Sequence, residues 1–357
     1  MMTRNAQPSL LIVGGGIVGL VLAVVALGHG YAVTLIARDA PDHTASGIAA
    51  GMVAPALEAL GDADPVESFK RLQQAKSAWS DLHDLWPQII KDWLAQDGQT
   101  PSLYVFDKAN GADVMKRLVA MGAHFEYADD DQLAHLGFDP KAVNGVQLAD
   151  DGLMEAGPVL AALRAQIVAQ GGVWLTGHVA YISSTQAVLD TGESVEADAV
   201  IVAAGYAAHA LAPHVPSLAC LTPIKGHLLD VNGRGGDGVV RTRSGYFADY
   251  GAAAKFGATM QVGQDDLAIE PEVVALLKDV SQVMSVDITD AVPRTGIRAA
   301  SPDGWPLIGR DEASGVYVST AMRRNGYVFA PFAAQIVLAL IEGESTPDDG
   351  LYRPDRF

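Results

Sequence analysis

The sequence predicts an α/β chain in which a Rossmann-type dinucleotide-binding unit interleaves with a second domain, and three observations carry that expectation. Gly14, Gly16 and Gly19 form a G-x-G-x-x-G between an apolar strand at Ser9–Val13 and an apolar helix at 20–27. A second apolar strand at 31–36 follows through Gly28-His29-Gly30, which closes a βαβ unit within its usual length of roughly 30 residues. No repeat, low-complexity tract or long polar linker divides the rest, so later segments must return to the first unit.

Each glycine of the triad has a separate task. Gly14 permits the tight turn out of the strand, Gly16 lets backbone approach a pyrophosphate, and Gly19 lets helix pack close on strand. The helix N-terminus then offers free N–H groups and partial positive charge. One expected part is missing. An acid normally ends the second strand and binds the adenosine ribose, but Ala37 and Arg38 stand there, with Asp39 two places late.

A length of 357 residues suits roughly two domains, and 49% apolar with 18% charged residues are globular values. The net charge of −18 repels nucleic acid and anionic membranes, so neither is expected as a partner. Cys220 is the single cysteine, which excludes an intramolecular disulfide, argues against a thiolate zinc site and suits a reducing cytoplasm. Residues 10–27 are an unbroken run of apolar residues and glycine behind Arg4, the pattern of a membrane anchor or signal peptide. Three consecutive glycines break it in its first third and no small-residue cleavage site follows, so strand, turn and helix explain it better. The next apolar span, 328–341, is too short and contains Pro331 and Gln335, so no membrane span is expected.

Residues 69–94 place Leu72, Ala75, Trp79, Leu82, Leu85 and Trp86 at helical spacing, with a break at Pro87. Helices are also expected at 115–121 and 158–169, the second stopped by Gly171-Gly172. Short β-like runs follow at 173–175, 181–182, 187–189 and 197–204. The last is apolar throughout, as a buried parallel strand is, and its Gly205 stands at a carboxyl end, where open α/β sheets bind ligands. Residues 239–248 and 254–260 read as strands of a second sheet, 270–284 as a helix and 316–320 as a returning strand. A final helix starts near Gly326.

The chain resembles the family of FAD-dependent D-amino-acid oxidases and glycine oxidases, with glycine oxidase the nearest pattern. The pieces lie in order along nearly the whole chain: Gly14 to Gly19; Ala49-Ala50-Gly51-Met52-Val53-Ala54-Pro55; Ala203-Ala204-Gly205; Thr222-Pro223-Ile224-Lys225-Gly226; Gly257-Ala258-Thr259-Met260; Gly296-Ile297-Arg298; Ser301-Pro302-Asp303-Gly304-Trp305-Pro306-Leu307-Ile308-Gly309; and Arg324-Asn325-Gly326. The run Leu35-Ile36-Ala37-Arg38-Asp39-Ala40-Pro41 is similar to eukaryotic-type D-amino acid oxidases, which also lack the ribose acid. The resemblance implies a glutathione-reductase-like FAD domain assembled from 1–55, 150–222 and 295–357. An α+β substrate domain with a mostly antiparallel sheet, from 56–149 and 223–294, would lie over the flavin.

The resemblance also implies the site. Cofactor contacts fall to Gly14, Gly16, Ile17, Val18, Gly19, Arg38, Ala50, Gly51, Met52, Val179, Ala204, Gly205, Asn325, Gly326 and Tyr327. Small residues at Ala50-Gly51 let backbone lie against a flat ring, whereas Met52 is equally readable as a gap-filling core side chain. The helix from Gly326 would aim its N-terminus at the pyrimidine end of the flavin and stabilise the charge gained on reduction. Arg298 occupies the family's carboxylate-binding position, where a fixed bidentate donor offsets desolvation of the acid group better than a lysine does. Tyr246 matches an active-site tyrosine that bonds the same carboxylate, although Asp249-Tyr250 replaces the usual Pro-Arg after it, and Ala299 replaces the proline that often follows the arginine. Arg324 matches an arginine beside flavin or substrate, with Arg323 a solvated neighbour; an isolated arginine otherwise reads as half of a surface ion pair.

Other chemistries lack their residues. Nine histidines show no metal-binding spacing, no Gly-x-Ser-x-Gly elbow is present, and His227 reads as a structural histidine. Thr320-Ala321-Met322 lacks the cysteine that holds flavin covalently in some members, so noncovalent FAD is expected. The resemblance implies oxidation of glycine, an N-substituted glycine or a D-amino acid by hydride transfer from the α-carbon to flavin N5. An imino acid and then a 2-oxo acid would result, with dioxygen as acceptor. A D-amino acid dehydrogenase of the same fold, passing electrons to a quinone or carrier, and a catalytically silent flavin-binding subunit are the alternatives. A homo-oligomer is compatible with all three.

Overall fold

The computed structural model describes residues 7–38, 44–96, 102–344, 346 and 350–357. Asp39, Ala40 and Pro41 of the second-strand motif lie outside the described residues. Within Ser9–Val13, Leu10 and Ile12 are buried in the core on one face of the sheet and Leu11 and Val13 in the core on the other, while parallel strands pair with both edges, Ala32–Ala37 on one side and Ala199–Val202 on the other. The full six-stranded order is Leu307–Arg310, Tyr317–Thr320, Ala199–Val202, Ser9–Val13, Ala32–Ala37 and Val173–Thr176. Only Leu307–Arg310 runs antiparallel to its neighbour. Ile17–Gly28 packs on this sheet, and Gly326–Glu342 packs on Ile17–Gly28.

Three of the short runs expected as strands divide between two places. Val173–Thr176 extends the main sheet, whereas Val179–Ile182 and Gln186–Leu189 form a separate meander with Ser194–Glu196. Its inward side chains, Val179, Ile182, Ala187 and Leu189, cover the main-sheet face opposite the helices.

A second, nine-stranded sheet is antiparallel except where Asp237–Arg241 meets Ser102–Asp107 in parallel. Its longest strand, Thr222–Asn232, pairs with Val292–Ala300 on one edge and with Ala253–Gly257 and Gln261–Val262 on the other. Neither Thr222–Asn232 nor Val292–Ala300 is evident from apolar alternation, because proline, glycine and charged residues interrupt both. Residues 239–248, expected as one strand, are instead a hairpin. Thr242 stops the first strand by accepting the N–H groups of Ser244 and Gly245 at its hydroxyl, and Tyr246–Tyr250 returns antiparallel.

The helical expectations differ from the structure at their ends. Pro65–Asp81 starts four residues earlier than the apolar spacing suggests, since Asp64 caps the Glu67 N–H and Pro65 occupies the first turn. The break comes at Leu82, before Pro87, and Gln88–Ala95 follows. Among the described residues, no helix is long and apolar enough to cross a membrane.

Candidate active site

At the carboxyl edge of the main sheet the glycine triad is held by contact. Gly14 has φ +127°, and a Cβ there would stand 2.4 Å from the Ala203 carbonyl oxygen. At Gly19 an added Cβ would fall on the Gly14 carbonyl. Gly16 differs, because a Cβ there would meet only the Ser46 side chain within 4 Å. Two glycines therefore serve strand–helix packing and the third leaves a cradle. Gly14, Ala203 and Ala204 adjoin there, and Gly205, at φ +58°, follows at the same edge.

Two helix N-termini converge on this edge. Ile17–Gly28 and Gly326–Glu342 both start without a side-chain cap or an acid in the first turn, and Gly326 lies against Ile17. The Ile17 N–H donates to Ser46 Oγ, and Val18 packs in the core below. Asn325 Oδ1 is buried with no hydrogen-bond partner. Two uncapped positive helix ends beside an orphaned buried amide suit a cofactor with a pyrophosphate and a polar ring edge. The turn into the second helix is strained, with Ala321 at φ +59° and Arg323 at φ +52°.

Arg38 is exposed at the end of Ala32–Ala37, and the Val179 side chain is buried in the core, so Val179 can offer a cofactor its backbone alone.

Between the two sheets lies a cleft of about 280 Å³. One wall is the segment Ala50-Gly51-Met52 with Tyr327, and the other is built from Gly226, Tyr246 and Arg298 of the second sheet. Gly51 needs its left-handed φ of +74°, and a Cβ there would collide with the Met154 carbonyl. Tyr250 donates its hydroxyl to the Ala50 carbonyl, so the residue that replaces the family's Pro-Arg ties this segment to the second sheet. Asp249 accepts N–H groups from Arg234, Gly236 and Gly251 and shapes the neighbouring turn.

Arg298 reaches the cleft from Val292–Ala300 across the flat surface left by Gly226, its register neighbour one strand away being Ile224. Its Nη1 donates to the Thr259 carbonyl at 3.3 Å, and among the described residues no carboxylate pairs with it. Burial lowers its pKa, and the nearby Arg323 charge acts in the same direction while Tyr246 opposes both. Tyr246 stands in the same cleft; burial raises its pKa, and the Arg298 and Arg241 charges pull it back. The phenol therefore remains a donor at neutral pH.

Arg324 lines the cleft as well, but its guanidinium is engaged. It pairs with Glu58 and lies 3.6 Å from Asp62. Glu58, only 4% exposed, also bonds Arg241 at 2.7 Å. Sequence reading missed both Glu58 and Arg241. A usable signal existed, since Glu58 is the lone acid in the apolar helix Pro55–Leu60. Tyr327 donates its hydroxyl to the Ser46 carbonyl and faces the cleft. His227 is fully buried; its Nε2 accepts the Glu270 N–H, and its Nδ1 is buried without a hydrogen-bond partner. Lys225 beside it is also buried; burial alone would lower its pKa, but bonds to Asp266 and Glu270 outweigh that and raise it.

Comparison with known proteins matches this geometry to a family. The profile described as "FAD dependent oxidoreductase" covers residues 9–340. Glycine oxidase from Geobacillus kaustophilus superposes with a TM-score of 0.81 over 98% of this chain and 100% of that one, at 21% identity, which shows the fold. A D-amino acid dehydrogenase of Xanthobacter autotrophicus is 25% identical over 95% of this chain and 96% of its own length. A bifunctional tRNA 5-methylaminomethyl-2-thiouridine biosynthesis protein of Azoarcus sp. is 24% identical over 96% of this chain, which spans only 58% of that relative. With the glycine cradle, the paired helix ends and a profile that runs through all of them, the chain belongs to the DAO family of FAD-dependent oxidoreductases.

Proposed function

We propose that this protein oxidises a small amino acid or N-substituted glycine. The observation that carries the reading is Arg298, a guanidinium inside a cleft with no acid partner among the described residues. Bound FAD would accept a hydride, two electrons and one proton, from the substrate α-carbon, leaving an imino acid that water hydrolyses to a 2-oxo acid. The residues that would hold FAD are Gly16, Ala204 and Gly205 with the helix ends at Ile17 and Asn325, and Ala50-Gly51-Met52 beside the ring, while Gly14 and Gly19 close the turn that shapes the cradle.

The chain's own residues supply binding and orientation. Arg298 holds the substrate carboxylate by a bidentate pair, and Tyr246 adds its hydroxyl to the same group. No general base faces the substrate among the described lining residues. Their one carboxylate, Glu58, is taken by Arg241 and Arg324, and no histidine lines the cleft. The amine must therefore react in its neutral form, its proton lost to water. The two sheets support an interleaved division, with the cleft at their junction. The lone thiol of Cys220 supports a cytoplasmic protein.

The test is anaerobic titration of the purified flavoprotein with glycine, N-methylglycine and D- and L-amino acids. Bleaching of the flavin by at least one of them is expected, and a flavin untouched by all would leave the silent-subunit reading. The kinship to a D-amino acid dehydrogenase over nearly both full lengths favours, as a second reading, an acceptor other than dioxygen. Peroxide released in air separates the two.

A further inference from the structure

We propose that Lys225 is a positioning residue for substrate binding: with His227 it clamps residues 258–270 to the back of the second sheet, and the clamp fixes the Thr259 carbonyl against which Arg298 is aimed. This rests on the amino-acid oxidation argued above and names what holds its binding residue in place.

Side chains alternate across a strand, so Gly226 and Leu228 of Thr222–Asn232 face the cleft while Lys225 and His227 face the opposite side of the sheet. Both are fully buried there, and neither lines the cleft. The segment they hold leaves Ala253–Gly257, returns briefly as Gln261–Val262, and then runs without strand or helix through 263–270 to the helix Pro271–Val283. A run without a ladder or helix of its own must bond its backbone elsewhere, so its course depends on the side chains that reach it.

The hold is polar and continuous. Lys225 Nζ donates to Asp266 Oδ1 at 2.7 Å and to Glu270 Oε1 at 2.6 Å. The second oxygen of Glu270 accepts from Gln261 Nε2 at 2.8 Å, and Gln261 is the ladder partner of Lys225. His227 Nε2 accepts the Glu270 N–H at 3.2 Å, the His227 N–H donates to Thr259 Oγ1 at 2.8 Å, and the Thr259 N–H returns to the His227 carbonyl at 3.1 Å. On the cleft side the same Thr259 offers its carbonyl to Arg298 Nη1 at 3.3 Å, the one hydrogen bond of that guanidinium among the described residues. A route of hydrogen bonds thus runs from the ion cluster on one face to the substrate arginine on the other.

Buried ion pairs add little net stability, because desolvation offsets their attraction and apolar residues of equal volume hold a fold as well. They do impose direction. A guanidinium must present two N–H groups in one plane to a carboxylate, so a shift of the carbonyl that orients it is felt at the substrate before it is felt by the fold.

A double-mutant cycle tests this, read by rapid-mixing anaerobic flavin reduction in the holoenzyme with the amino acid that bleaches the wild type best. Lys225→Met should raise the half-saturating amino-acid concentration by about tenfold, while the limiting rate changes less than about threefold and FAD affinity stays at the wild-type value. In an Arg298→Ala background the same substitution should alter the second-order bleaching rate by less than about twofold, because the residue it acts through is gone. Glu270→Gln loosens the clamp from its partly exposed end and should show the same pattern at smaller size, which keeps the test decisive if Lys225→Met does not fold. A half-saturating concentration unchanged in both variants, or a loss as large without Arg298 as with it, overturns the proposal and leaves amino-acid oxidation standing. Wild-type flavin that no amino acid reduces overturns the amino-acid reading and this proposal with it.

Discussion

The Arg298 guanidinium lies directly over Gly226: a Cβ added at Gly226 would stand 2.3 Å from Nη1 and 2.9 Å from both Cζ and Nη2. The bare backbone of one strand thus sets the height of the residue that receives the substrate on the next. The blocking atoms belong to the end of a side chain, so Gly226→Ala should fold with little change in Tm while displacing the guanidinium. A displacement of about 1 Å costs up to roughly 10²-fold in rate when it misaligns a reactant. Steady-state kinetics should show kcat/KM reduced by about tenfold or more, and an unchanged value would show that Arg298 is not held at that height for recognition.

Tyr250 gives a complementary prediction. Its hydroxyl is the tie between the second sheet and the Ala50 carbonyl. Tyr250→Phe leaves that carbonyl without its donor, at a cost of about 1–3 kcal/mol when a buried group goes unsatisfied. Urea denaturation should record the loss, and FAD affinity should fall with it because Ala50-Gly51-Met52 is released. Wild-type stability together with wild-type FAD affinity would mean that the segment is held elsewhere.

Much of this arrangement is legible in the sequence, and the illegible part has a common physical cause. The glycine triad, its flanking strands, the returning strand Ala199–Val202 and the start of Gly326–Glu342 are local patterns of apolar period, turn residue and cap. Arg298, Tyr246 and Ala50-Gly51-Met52 were expected only through resemblance, and the structure gathers them in one cleft. Glu58 meeting Arg241 and Arg324, or Lys225 meeting Asp266 and Glu270, depends on pairings across many residues that no periodicity encodes. The hairpin at Thr242–Gly245 was readable from Ser244-Gly245, but apolar residues on both sides hid it within one apparent strand.

Asp151 supplies a pH prediction. It is fully buried, accepts the Ala56 N–H at 2.9 Å, and its other oxygen has no partner. Burial raises its pKa from 3.8 to about 7, against the opposing pull of that hydrogen bond and the Lys76 charge. Between those values the unfolded chain has lost the proton and the folded chain keeps it. Stability from this group is therefore full below about pH 4 and falls as pH rises through about 7, by ~4 kcal/mol at most. Asp151→Asn preserves the accepting oxygen and removes the titration. Melting curves should show the wild type losing Tm relative to Asp151→Asn from about pH 4 to 7 and running parallel to it above. Parallel behaviour across the whole range would show that Asp151 does not retain its proton.

The neutral-amine requirement predicts the shape of the rate profile. With Glu58 held by Arg241 and Arg324, kcat/KM should rise with pH as a single proton leaves the substrate. The inflection should move with the amine pKa from one substrate to another. A fixed inflection shared by substrates of different amine pKa would reveal a base in the protein.

The central claim is that Arg298 grips the acid group of the molecule being oxidised, and rapid-mixing measurement of anaerobic flavin reduction in Arg298→Ala tests it most directly. The account predicts a variant that still binds FAD yet loses about 2–5 kcal/mol of carboxylate recognition, seen as a matching fall in the second-order rate of bleaching. A variant that bleaches at the wild-type rate with every amino acid would contradict it.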